Sequence, residues 1–177
     1  MDEKPWTRGR ALLLLVGGCV AGAISFGLIL DQITIRIAPE YFTVYHPRII
    51  SSDDLTMTAL AWGVTATWWV GLILGVYLAL VAISGELPIS TKKEIQTTIL
   101  VIFAGTVLAV IVMGIRGLIK QPTSTAFSVG DNHAITRAHI LHLTSYLTPI
   151  PLTIGMSIWM ISRRYKRNLE QIRASRS

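Results

Sequence analysis

Residues 11–30 read ALLLLVGGCVAGAISFGLIL, twenty positions without a charge, and they decide the class of fold. At 1.5 Å rise per residue, about 20 apolar residues cross the roughly 30 Å hydrocarbon core of a bilayer. Outward from this stretch, three more apolar runs follow, over 56–84, 95–115 and 140–161. The 177-residue chain is 51% hydrophobic and only 15% charged, and the charges gather at the ends of these runs. A membrane imposes that segregation, because an unpaired charge at mid-bilayer costs about 2.5–3.5 kcal/mol. The expected fold is all-α: residues 1–177 as a single polytopic domain, a four-helix transmembrane bundle. A structured extracytoplasmic loop joins helices one and two.

Sixteen Lys and Arg against ten Asp and Glu leave a formal net charge of +6. Much of the excess lies in the tail 163–177, at Arg163, Arg164, Lys166, Arg167, Arg173 and Arg176. A basic cluster directly after a span orients it and contacts anionic lipid headgroups, so lipid and not nucleic acid is the expected partner. Lys4, Arg8, Arg10, Lys92 and Lys93 share the tail's side, which then holds eleven of the sixteen. Arg36, Arg48, Arg116, Lys120 and Arg137 fall on the other side. The positive-inside rule puts both termini in the cytoplasm. The single Cys19 forms no intrachain disulfide. Val16-Gly17-Gly18-Cys19 looks like a lipoprotein cleavage box, but the apolar run continues to Leu30, as a full span does.

Local signals punctuate the runs. Gly18 and Gly22, and Gly71 and Gly75, have the small-xxx-small spacing that lets helix backbones approach within one chain. Ser52, Asp53 and Asp54 before the second run are an N-cap signal, and that run, longer than a minimal span, reads as one helix that tilts or projects. Thr91-Lys92-Lys93-Glu94 is a capping box opening the third. The intervening turn with Pro88 predicts an antiparallel hairpin of helices two and three. Pro149 and Pro151 predict a bend near Thr148. In the 31–54 loop, Ile33-Thr34-Ile35-Arg36-Ile37 alternates in strand fashion. Pro39 then starts a short helix.

All four histidines, His46, His133, His139 and His142, fall on the outer side of this topology. His139, His142, Ser145, Tyr146, Pro149 and Thr153 lie on one face at helical spacing, a polar stripe that has to face protein or water. The outer pocket expected from this stripe and the loop comprises Glu40, Tyr41, His46, Arg116, Arg137, His139, His142, Ser145 and Tyr146. Arg suits an anionic group and His titrates near neutrality. His139 and His142, three apart, with His46, form a candidate metal set that Glu40, Asp131 or His133 would complete. A bis-histidine haem is disfavoured, since the first three runs hold no histidine. No catalytic residue and no cofactor is singled out. A pore is disfavoured too: helix three holds only Thr97, Thr98 and Thr106, and helix four below its stripe only Thr153 and Ser157. Trp62 reads as an interfacial anchor, and Trp68 with Trp69 as a deeper packing pair.

The segments Asp31-Gln32 and Ala38-Pro39-Glu40-Tyr41-Phe42-Thr43, Thr67 to Gly75, and His142 with Ser145-Tyr146 resemble those of a group of uncharacterised bacterial polytopic membrane proteins. The resemblance implies a bacterial inner (plasma) membrane protein of four spans and carries no activity. It also ties loop, Trp pair and stripe into one constellation. The expected function is a non-enzymatic binding or accessory protein with an outward-facing polar pocket, within a larger membrane complex or homo-oligomer. The alternatives are a membrane-embedded metal/redox protein or enzyme using the outer histidines, and a small transporter or channel subunit.

Overall fold

The computed structural model describes residues 6–119 and 133–176, which form helices and, among these residues, no strand. In chain order they are α1 (Arg8–Ile37), α2 (Pro39–Thr43), α3 (Leu55–Thr65), α4 (Trp68–Ile83), α5 (Lys92–Ile119), α6 (His133–Leu147) and α7 (Pro149–Ala174). Arg8–Ile37, Leu55–Ile83 and Lys92–Ile119 are long and apolar enough to cross a membrane. The expected roles of Lys4, Lys120 and Asp131 lie outside the described residues.

The alternation at 33–37 is not a strand. α1 runs through it, because nothing stops the helix before Pro39, which disfavours the helical conformation at Ala38. The pattern is two faces of a helix. Asp31, Thr34, Ile35 and Ala38 are buried at i, i+3, i+4 and i+7, while Ile33 and Ile37 are exposed. Pro39 then occupies the first turn of α2.

The second run is not continuous either; it breaks into α3 and α4 at Ala66-Thr67. The Thr67 hydroxyl takes the Gly63 carbonyl at 2.5 Å, the back-bonding that bends helices. Asp54 caps α3, its carboxylate accepting from the Thr56 and Met57 amides at 2.7 and 3.0 Å. The capping box of α5 closes reciprocally between Thr91 and Glu94. α6 and α7 divide at Thr148, just before Pro149.

α1 is the central helix, packing most extensively on α4 and α3. A Cβ on Gly71 would lie 2.6 Å from the Cys19 carbonyl oxygen, and one on Gly75 would lie 2.8 Å from the Val16 Cα. Contact is therefore backbone to backbone. α4 and α5 are not a packed hairpin: α1 and α7 each pack on both of them and hold them apart. Gly85, at φ 77°, ends α4 in the left-handed conformation glycine tolerates. Buried Arg164 of α7 closes the turn that follows. It donates to the Pro88, Ser84 and Leu87 carbonyls at 2.9, 2.6 and 3.1 Å, and also to that of Val81. Two apolar clusters result, Leu15, Leu78, Ile95 and Met160 at the tail end and Ile35, Tyr41, Phe42 and Ile135 at the α2 end.

Candidate functional site

The helical extension of α1 carries Asp31 and Thr34 into the bundle, where they are 3% and 0% exposed. α6 meets them with His142. Its Nε2 lies 3.2 Å from Thr34 Oγ1 and 3.6 Å from Asp31 Oδ1. The Thr34 hydroxyl directs its proton to the Leu30 carbonyl at 2.9 Å. Its oxygen is therefore the acceptor toward His142, and Nε2 carries the proton. A carboxyl group and an imidazole thus face each other inside a membrane protein, with the Thr34 hydroxyl beside the imidazole.

α2 roofs this pair. Tyr41 stacks on the His142 ring at 5.0 Å between centroids and 25° between planes, and Phe42 meets it edge-on at 5.9 Å. His46 lies against Tyr41 at 4.5 Å, its Nδ1 2.5 Å from the Tyr41 carbonyl oxygen. On its other side the Trp62 indole of α3 packs edge-on at 5.1 Å. His139 reaches Tyr41 edge-on at 6.4 Å. Burial, with smaller contributions from Tyr146 and Asp31, pushes the Tyr41 phenol up to about 12, so it stays protonated and its ring serves as a wall.

Below the pair, the α3–α4 break frees carbonyls that a continuous helix would use. The Tyr146 hydroxyl donates to that of Ala66 at 3.4 Å. Ser145 donates to the His142 carbonyl at 2.6 Å. Tyr146 and Ser145, with Thr67 and Thr106, edge a mostly apolar cavity of about 90 Å³ whose walls include Gly22, Phe26, Val70 and Phe103. A second hollow, of about 260 Å³, lies outside α2 between Phe42, Arg48, Ile50 and Trp62. Arg48 and Asp53 pair there at 2.5 Å in the open.

Of the nine residues expected in the pocket, Tyr41, His46, His139 and His142 form the roofed cluster, and Ser145 and Tyr146 continue it inward. Glu40 and Arg116 are exposed and face away from it: Glu40 lies on the outer surface of α2, and Arg116 ends α5. Arg137 is half-buried, its stem against Gly117 of α5, with a buried Nε unpartnered among the described residues. Among the described residues no three His, Cys, Asp or Glu side chains converge on one point. Trp68 and Trp69 are 45% and 47% exposed on the bundle surface, outside the constellation.

A first helix ending at Leu30 leaves Asp31 and Thr34 out of the pocket; the i, i+3, i+4, i+7 spacing through Ala38 is the signal that brings them in. No protein-family model, curated protein or solved structure matches the chain.

Proposed function

We propose that the chain is a four-span bacterial inner-membrane protein with both termini in the cytoplasm. Its role is that of a non-enzymatic binding or accessory protein whose outer pocket, under α2, takes a small hydrogen-bonding ligand or ion. The observation that carries this reading is the Asp31–Thr34–His142 cluster. Ionisable side chains inside membrane spans are costly and mark ligand or proton sites. Here they sit beneath a five-residue helix, α2, that follows α1 after the single residue Ala38, and not beneath a full span. The fourth span is supported by α7, where Ile150, Ile154, Ile158 and Ile161 form an exposed apolar stripe at helical spacing, 46–62% accessible, suited to lipid. The eleven-to-five division of basic residues supports the orientation.

Native mass spectrometry of the protein released from its own membranes tests the role. The wild-type chain retains a small-molecule adduct or a partner subunit that His142→Phe loses. A bare wild-type monomer, without adduct or partner, overturns it. A reporter fused after the tail checks the topology and is active only on the cytoplasmic side.

A further inference from the structure

Three imidazoles press on one aromatic ring. His46, His139 and His142 lie 4.5, 6.4 and 5.0 Å from the Tyr41 ring between centroids, and Phe42 meets His46 and His142 at 6.2 and 5.9 Å. Tyr41 and Phe42 are the buried side chains of α2, and they pack with Ile35, Ala59, Ile135 and Ala138. A five-residue helix is too short to persist by itself, so these two rings hold it on the bundle. Its connections add little: Ala38 leaves helical geometry at φ −145° and ψ 74°, and no helix forms between Thr43 and Leu55. His46 is the clasp on the far side. A carbonyl oxygen only accepts, so His46 Nδ1 donates to that of Tyr41 while its ring packs on Trp62 of α3.

Few charges face this cluster. α1 contributes Asp31, beside His142, and the neutral Thr34. α2 contributes the Tyr41 phenol and α3 the neutral Trp62. On α6 itself the Tyr146 hydroxyl is turned to the Ala66 carbonyl. Arg36 of α1 bonds Gln32 and Thr56, Glu40 of α2 and Arg116 of α5 are exposed, and Arg137 of α6 lies along Gly117. Among the described residues, Asp31 is thus the one acidic side chain that meets an imidazole, and it offsets one positive charge at most. The Tyr41 face attracts a cation, but two or three around the same ring also repel one another.

We propose that α2 is an acid-released lid: as the external pH falls, protonation of His46, His139 and His142 drives it off the Asp31–His142 pair and opens the outer site. This rests on the reading of that site as an outward-facing one and names what regulates it. The closed lid disfavours the second and third protons, whereas the open one leaves the imidazoles in water and accepts them. The open form therefore binds more protons. The closed form prevails above the ordinary histidine value of about 6.5 and is lost as the pH falls below it. Because more than one proton is taken up, the transition is steeper than a single titration.

The test is a distance measured between two nitroxide labels by double electron–electron resonance, on the full chain in lipid nanodiscs. Cys19→Ser first removes the single cysteine. Val44→Cys, just past α2, and Met57→Cys on α3 then carry the labels at exposed positions. One distance is expected at about pH 7.5 and a longer one at about pH 5, with a midpoint between about 5 and 6.5 and a Hill slope of about two. His46→Gln with His139→Gln keeps His142 and its Asp31, and stays closed at the lower pH. Where that pair does not give the wild-type distance at the higher pH, His139→Gln alone is scored and brings the slope toward one. Labels at Leu13→Cys on α1 and Leu100→Cys on α5, both exposed, keep their distance throughout. An unchanged distance from α2 to α3 in acid overturns the proposal, as does opening of the glutamine variant at the wild-type pH. Movement of the α1–α5 pair also overturns it, since that is acid unfolding. The native mass spectrum is scored separately. A retained adduct with no opening sinks the lid alone, whereas opening in a chain without adduct or partner keeps the lid and sinks the binding role.

Discussion

Thr34 has one proton and gives it to the Leu30 carbonyl, which leaves its oxygen to accept from His142 Nε2. Thr34→Val keeps the shape and removes that acceptor, stranding a buried donor. The expected loss is about 1–3 kcal/mol of stability, read as a lower unfolding midpoint in detergent, with Thr34→Ser close to wild type. An unchanged midpoint for the valine would mean that the imidazole finds another acceptor. Nitrogen-15 spectra of labelled histidine check the same geometry directly, since His142 must show a protonated Nε2. At this scale the histidines were visible in the sequence as a stripe, but their partners were not. Asp31 reads as the end of an apolar run until the helix is known to continue beyond it.

Helix ends were more legible than helix interiors. The Asp54 cap, the Thr91–Glu94 box and the Pro39 start are local chemistry, set by residues within four positions of one another. The break at Thr67 and the closure of the 84–91 turn by Arg164 depend on residues far apart in sequence. Arg164 reads as one of several tail cations, yet it is 2% exposed and satisfies carbonyls of a helix C-terminus and the turn beyond it. Arg164→Ala is expected to cost about 2–3 kcal/mol by unsatisfying them, and Arg164→Lys to recover only part, because a lysine lacks the planar fork. Thermal unfolding in detergent measures both. Arg173→Ala, exposed in the last turn of α7, serves as the neutral comparison.

For the whole molecule, assembly rests on close approach of α1 to α3 and α4. Gly75→Leu forces a side chain into the Val16 backbone, and Gly17→Leu adds one where nothing lies within 4 Å. The first is expected to destabilise by about 1–3 kcal/mol or more through overpacking, and the second to be near neutral. The comparison is made by the fraction of folded, monodisperse protein after heating. Equal behaviour of the two would place the α1–α4 contact elsewhere.

The sequence by itself determined that this is a helical membrane protein, where its apolar runs lie, and which side chains cap its helices. Those properties follow from hydrophobicity and from hydrogen bonds between near neighbours. Only the tertiary structure decided which polar residues meet. It set Asp31 against His142 and left Glu40 and Arg116 exposed. The reason is geometric: a helix has only one face toward each neighbour, and which neighbour a face meets depends on packing. Residues 11–30 announce a span by being apolar, and where α4 sits against it is decided by Gly71 and Gly75, which let the Cys19 and Val16 backbone approach.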